Sequence, residues 1–523
     1  MKKLLFFLTV CALVACSRSP DEGRYPDPGL RHGMIQLGEK LEDPYTVSNM
    51  QKAFASVYAT KADRVDITAT DLYVRFLPSG EGQLEALRRE GLYLMDHPMD
   101  YRIVQEGDYY QDPEVGQEAI TWQYAVVPRG YTFPSGIRYE LLDEVYISEH
   151  APATRADIDW QLVEREAFRL TGNLDLWEDP LTRGETETPA VAPSGRITIE
   201  DPLYCDGKPL GVAGVKVACN IFVKVACCYT DRDGYYQMSQ TFTGTPRYRL
   251  VFQNEKGFNV GFNFLLVPAS VSTLGTAEAA GVDLHVTRAD SEGSLFRRCV
   301  VNNAAYDYYS RCSAEDLDLT PPPSDLRFWI FPMLNCSSAT MLHHGAFLDN
   351  ELIQEYLGQW IPVVKMFLPD ITIGTRQLDY SQIYEITMHE LAHASHYAQV
   401  GNEFWTPYID YVIRCFITEG WQAYGSGIGA NASYCEVGEM WAHFMQETLR
   451  KDRYGGTVKQ FGNSYWFKPD IFTYLYERGI SRGQLFKALG KGVSSTDDLK
   501  DKLVSLYPDQ ESVITQTFQH YDR

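Results

Sequence analysis

The segment from Asp379 to Gly401 constrains this chain more than any other. Asp379 and Gln382 have the spacing of a capping box, and Gly401 supplies a stop. Ile383, Ile386 and Tyr397 fall on one face, so the spacing predicts a helix of about five turns. That helix carries His389-Glu390-Leu391-Ala392-His393. A four-residue separation sets both imidazoles one turn apart on the same face, the arrangement a tetrahedral zinc ion requires. Glu390 lies about 100° round the helix from His389. It is expected to reach a water on the metal without ligating the metal, to take that water's proton and to pass it to a leaving amine.

The third ligand has to come from elsewhere. In the metzincin pattern, HExxHxxGxxH, a later histidine supplies it. Here His396 stands at the glycine position and Gln399 at the final histidine position. A glutamate on a following helix is therefore expected, as in gluzincins. Glu439 sits in Glu-Met-Trp-Ala-His-Phe444, where Val437, Met440, Trp441, Phe444 and Met445 fit helical spacing. A glutamate followed by bulky residues resembles the ligand helix of several gluzincins, and Glu439 leads for that reason. Glu419, in Thr-Glu-Gly-Trp, resembles the ligand helix of other gluzincins and stays a rival. Glu436 also stays open, although Ser433 three residues earlier makes it look like a capping-box residue.

Other side chains join the candidate site. His443 follows Glu439 by four residues and shares its face, where it could steady the ligand or stabilise an oxyanion. Tyr434 and Tyr424 are candidates for a hydroxyl that stabilises a tetrahedral intermediate. His396 shares the face of both histidine ligands and reads as packing or support. His343 and His344 stand in a loop-like stretch, where a second metal site would need more ligands than the sequence offers nearby. Asp370 to Gly374 reads as a short strand just before the helix. In zincins an edge strand binds the peptide substrate, and the resemblance gives that role to this segment. Residues 451–523 read as further helices with Phe486, Leu489 and Leu503 in their core.

The start of the chain reads as a processing segment. Lys2 and Lys3 precede an apolar run from Leu4 to Val14, well short of the roughly 20 residues a spanning helix needs. Leu13-Val14-Ala15-Cys16 resembles the lipobox of bacterial lipoproteins, which implies a signal over 1–16 and lipid on Cys16. Ser17 resembles the outer-membrane address of Gram-negative lipoproteins, on either face of that membrane. Residues 17–45 read as a tether. Removing Cys11 and Cys16 from the 11 cysteines leaves an odd number, so at least one stays unpaired in a monomer. A net charge of −22 excludes the basic footprint of a nucleic-acid partner.

Between tether and helix the pattern changes twice. Residues 46–183 mix alternating stretches (Leu72, Val74 and Phe76; Ile120 to Val127) with a helical pair at Leu84 and Leu87, which reads as a small α+β domain of unassigned role. Gly184 to Gly195 reads as a linker. From 195 to 290, strands alternate with turns every ten or so residues, which suggests an all-β sandwich. The order of Gly211 to Val217, the turn Thr230-Asp231-Arg232-Asp233-Gly234 and the strand Tyr248 to Phe252 resembles the carboxypeptidase-regulatory-like sandwich. Asp231 and Asp233 lack the further ligands of a calcium loop and read as turn residues. Residues 291–523 form the mostly helical α+β catalytic region.

The lipobox, the sandwich and the His-Glu-Leu-Ala-His helix followed by "GEMWAHF" together resemble zinc-dependent metalloproteinase lipoproteins of Gram-negative bacteria, gluzincin-like zincins. The resemblance implies a Zn2+ peptidase. It would carry metal ligands His389, His393 and Glu439, catalytic Glu390, Tyr434 and His443, and a peptide or protein substrate. A lipid-anchored binding or accessory protein with an inactive zincin domain is the alternative. A chain freed from catalysis could lose Glu390, and this one keeps it.

Overall fold

A computed structural model describes residues 34–521 apart from 60–64, 108, 117–118, 153–157, 178–189, 262–270, 291–292, 314–316, 333, 335, 346–368 and 419–423. Cys16, the 1–16 signal and Glu419 lie outside the described residues. The chain has the expected multidomain α+β layout: a β-rich N-terminal region, sheets in the middle and a mostly helical C-terminal region. Among the described residues no helix is long and apolar enough to cross a membrane.

The N-terminal region runs through β1 (Gln36–Lys40), α1 (Val47–Val57), β2 (Asp71–Leu77), α2 (Glu81–Arg89), β3 (Tyr101–Gln105), β4 (Gln123–Pro128), β5 (Arg138–Val145), α3 (Trp160–Leu170) and α4 (Leu174–Trp177). β1 pairs with β3, and β2 is the centre of an antiparallel sheet between β4 and β5. Alternation along β2 buries Val74 and Phe76 on one face, as the sequence predicts. The pair Leu84 and Leu87 is the buried stripe of α2. Thr46 caps α1 by accepting from the Asn49 amide, and Asp159 caps α3. Met50, Phe54, Val163 and Ala167 fill the contact between those two helices.

The middle region holds β6 (Ser194–Ile199), β7 (Leu210–Gly211), β8 (Val215–Ile221), β9 (Lys224–Tyr229), β10 (Tyr235–Gln237), β11 (Arg247–Asn254), β12 (Asn259–Val260), β13 (Val271–Thr276) and β14 (Leu284–Val286). Gly211 to Val217, one alternating stretch in the sequence, is divided between two strands in two sheets. β7 pairs with β6, whereas β8 pairs with β9 and β11. The cause is Gly214, whose left-handed φ of 64° turns the chain where a Cβ would strike Asn254 and Tyr306. At the next turn the Asp231 carboxylate accepts from the Asp233 and Tyr235 amides, both at 2.9 Å. Tyr248, Leu250 and Phe252 alternate inward along β11 and are fully buried.

The helical region contains α5 (Ser294–Cys312), β15 (Arg327–Phe331), β16 (Ile371–Gly374), α6 (Tyr380–Val400), α7 (Asn402–Thr418) and α8 (Ala432–Tyr454). It closes with α9 (Asp470–Glu477), α10 (Arg482–Ala488), α11 (Thr496–Leu506) and α12 (Glu511–His520). One sheet runs across residue 291, in the order β16-β15-β12-β11-β8-β9 with β13 also on β11. β12, β15 and β16 are parallel neighbours. β16 is the terminal strand of this order, the edge position expected of it. Thr372 exchanges both backbone hydrogen bonds with Ser338 (3.0 and 2.9 Å) on the side away from β15. Ser338 thus occupies the outward backbone groups of Thr372, in a bridge of one residue.

One contiguous core connects Tyr45 near the start to Phe518 near the end. It passes through Ile371 and Ile373 of β16, Ile383 and Leu391 of α6, and Phe444 of α8. Each such side chain contributes about 1.5–3 kcal/mol on full burial, which holds α6 and α8 against the sheet. All nine cysteines among the described residues are free thiols.

Candidate metal centre

α6 is built as its sequence predicts. Asp379 accepts from the Gln382 amide, the Gln382 side chain accepts from the Asp379 amide (both 3.0 Å), and Gly401 ends the helix at φ 71°. The apolar stripe is wider than Ile383, Ile386 and Tyr397, since α6 is covered on nearly every side. α8 packs along it. The expected Ser433–Glu436 capping box is absent because α8 starts earlier, at Ala432, with left-handed Asn431 as its cap. Glu436 accepts instead from the Thr496 hydroxyl of α11 at 3.3 Å.

His389, His393 and Glu439 converge, with one donor atom from each lying within 4.8 Å of the others. The Nε2 of His389 is 3.5 Å from Glu439 Oε2, and the Nε2 of His393 is 3.4 Å from Glu439 Oε1. Charge-assisted N–H···O bonds run about 2.7–2.9 Å, so these separations are long for direct pairing. A tetrahedron with bonds of about 2.0–2.1 Å has edges of about 3.3–3.4 Å; the two separations are of that size but run to different oxygens of Glu439. The Nδ1 of His393 and Oε2 of Glu439 are buried without a hydrogen-bond partner. Two imidazoles and a carboxylate are a donor set zinc takes readily, so the residues fit a metal of that class.

Supporting contacts surround the three. His389 Nδ1 lies 3.1 Å from Gln446 Oε1, a contact that turns Nε2 toward Glu439. Tyr408 of α7 donates to Glu439 Oε1 at 2.5 Å. Gly438 makes room for that ring, as a Cβ there would lie 3.3 Å from Tyr408 Cε2. His443 stacks on Tyr465 and Phe467 with ring centroids 4.8 and 5.7 Å away, and its Nε2 is 3.9 Å from Glu439 Oε2. The Tyr424 ring lies 6.2 Å from that of His443. Tyr434 is half-buried with its ring against Phe404 at 5.0 Å, one aromatic layer away. His396 is fully buried against Phe404 and Trp405 with neither nitrogen bonded.

The electrostatics separate the carboxylates. Burial favours the neutral acid of Glu439, but the imidazoles of His393 and His389 hold it well below the usual carboxylate range. Burial pushes Glu390 up to about 8, and Glu439 adds to this, while His389 and a backbone hydrogen bond from Ala339 oppose it. Burial also holds His443 well below its ordinary value, with His389 beside it acting in the same direction.

Tyr408, Gln446 and Tyr465 escaped the sequence reading. Gln446 had a usable signal, because Glu439, His443 and Gln446 follow the i, i+4, i+7 spacing of one helix face. Tyr408 and Tyr465 had none, since each arrives from a different segment. Compared with protein-family models, curated proteins and solved structures, the chain matches none of them.

Proposed function

We propose that this chain is a zinc-dependent peptidase that hydrolyses peptide bonds of protein outside the cytoplasm, tethered to the outer membrane through lipid on Cys16. The observation that carries the reading is the pair of 3.4 and 3.5 Å separations between Glu439 and the two imidazoles. His389, His393 and Glu439 would hold the ion. When bound, zinc supplies a Lewis acid that polarises the scissile carbonyl and makes water acidic near neutral pH.

The chain's own residues supply the rest. Glu390 is next to a ligand yet outside the ligand set, so its carboxylate is free to take a proton from the attacking water. Burial raises its proton affinity, which suits a group that must accept a proton and return it to the leaving amine. Gln446 orients the His389 ring, and Tyr408 restrains the Glu439 carboxylate. His443 borders Glu439, with the Tyr424 ring beside it, and these two are the candidates to donate to a developing oxyanion. Tyr434 would need the Phe404 layer to shift before it could do the same.

Metal analysis and a peptide-library digest of the soluble form, beside Glu390→Gln, test this reading. One zinc per chain, cleavage by the wild type and a loss of at least about 100-fold in Glu390→Gln are expected. Bound zinc without cleavage by the wild type would leave the accessory-protein alternative. Cleavage that survives Glu390→Gln would remove the proposed base.

A further inference from the structure

Three cations meet in a cavity of about 60 Å³ between the N-terminal region and the sandwich. Arg88 comes from α2, Lys216 from β8 and Arg249 from β11. Arg249 is 4% exposed, so its charge is withdrawn from water. Its guanidinium donates to Asn220 Oδ1 at 3.1 Å and faces His97 Nε2 at 3.4 Å and Met95 Sδ at 3.6 Å. The Tyr93 side chain lines the cavity beside it. Burial keeps His97 below its ordinary value, so these partners are neutral at pH 7.

The other two cations are no better balanced. The Lys216 ammonium donates to Gln253 Oε1 at 2.9 Å and lies 5.2 Å from the Tyr229 ring. Arg88 has no ion-pair partner among the described residues, and Glu85 one turn earlier is engaged by Arg89 at 3.7 Å. Burial pushes Arg88 down to about 10 and lowers Lys216, with Arg88 itself adding to the effect on Lys216. One carboxylate borders the cavity, that of Asp96. It is already taken by His97 Nδ1 at 2.7 Å and the Tyr110 amide at 2.6 Å. The lining thus sets three cations against one committed carboxylate, an arrangement that calls for an anion.

We propose that this cavity is a binding site for one small oxyanion of the phosphate or sulfate class. Its volume matches roughly four water positions at about 15 Å³ each, which suits a tetrahedral oxyanion. Two guanidinium forks and an ammonium are the donors such an anion takes with most specificity. Occupied, the site cross-links α2 to β8 and β11, and so joins the N-terminal region to the sandwich.

Calorimetric titration and thermal melting of the whole protein with inorganic phosphate, then with sulfate, test this at constant ionic strength against chloride. A saturable heat and a rise in Tm with one of the two oxyanions are expected, weakened about tenfold or more in Arg249→Gln and in Arg88→Gln. Arg88 is only half-buried, so its variant keeps the test open if Arg249→Gln fails to fold. No saturable response at millimolar phosphate or sulfate would overturn the proposal. So would an equal response in wild type and variants, because that is a general salt effect.

Discussion

The Tyr408 hydroxyl donates to Glu439 Oε1 across 2.5 Å and joins α7 to α8 at the centre of the candidate site. Both side chains are nearly inaccessible to water, so the bond has no solvent competitor. Burial and the adjacent carboxylate keep the phenol protonated, well above its ordinary range. Glu439 is therefore restrained from one side by Tyr408 while its other oxygen faces His389.

Tyr408→Phe removes the hydroxyl and keeps the ring that fills the space beside Gly438. Losing a partner of a ligating carboxylate typically costs about 10- to 100-fold in metal affinity. Zinc affinity measured by competition with a chelator should fall by that factor, with the circular dichroism spectrum unchanged. An unaltered affinity would detach Tyr408 from the metal centre.

Lys224 of β9 is 3% exposed at its side chain and lies between Glu149 at 2.6 Å and Glu164 at 3.4 Å. The carboxylates belong to the N-terminal region, so this cluster fastens that region to the sandwich. Lys224→Met keeps most of the volume and leaves Glu164 buried without its cation. Breaking one side of a buried pair costs about 3–5 kcal/mol. Urea unfolding should show a loss of that order, and Glu164→Gln together with Lys224→Met should recover part of it. A single variant as stable as the wild type would mean that water reaches the cluster.

The helix α6 was legible because its signals are local. The capping box, the stop glycine and the four-residue histidine spacing all lie within one stretch of chain. Glu439 was legible at one remove, since the apolar spacing of its neighbours specifies a helix. What could not be read was pairing between distant segments. β16 stands at the sheet edge as read, but its own residues say nothing of Ser338, which bridges Thr372 from upstream. Gly211 to Val217 looked continuous because alternation does not reveal a left-handed glycine in the middle. His343 and His344 looked isolated because Asp325, Asp370 and Glu81 come to them only through the fold.

His344 should make stability fall as pH rises. Burial alone would lower its pKa, but Asp325 at 3.0 Å and Asp370 at 2.8 Å carry it up to about 10. The unfolded value is about 6.5, so the folded state binds the proton more tightly. Its contribution is complete below about pH 6.5 and is lost as pH rises toward about 10, with a slope no steeper than about 1.4 kcal/mol per pH unit. The stability difference between wild type and His344→Gln should be largest near pH 6 and shrink by pH 9.5. A difference that stays constant with pH would show that the imidazole is neutral in the folded protein.

Glu436 and Glu439 lie on the same helix, three residues apart and both buried, so these two of the three candidates for third ligand can be separated by parallel isosteric changes. In Glu439→Gln the site keeps its shape and loses its anionic donor. Zinc bound after dialysis should drop well below one per chain, and activity should fall with it. In Glu436→Gln the amide oxygen can still accept from the Thr496 hydroxyl, now 3.3 Å from the carboxylate, so the contact between α8 and α11 loses only its charge. That exchange should cost about 1 kcal/mol of stability or less, with zinc content unchanged. The metal measurement carries the distinction, because activity alone would confuse a damaged ligand with a shifted helix. If Glu436→Gln lost zinc and Glu439→Gln kept it, α8 would have to be turned by about 60° from the orientation described, carrying His443 and Gln446 away from His389.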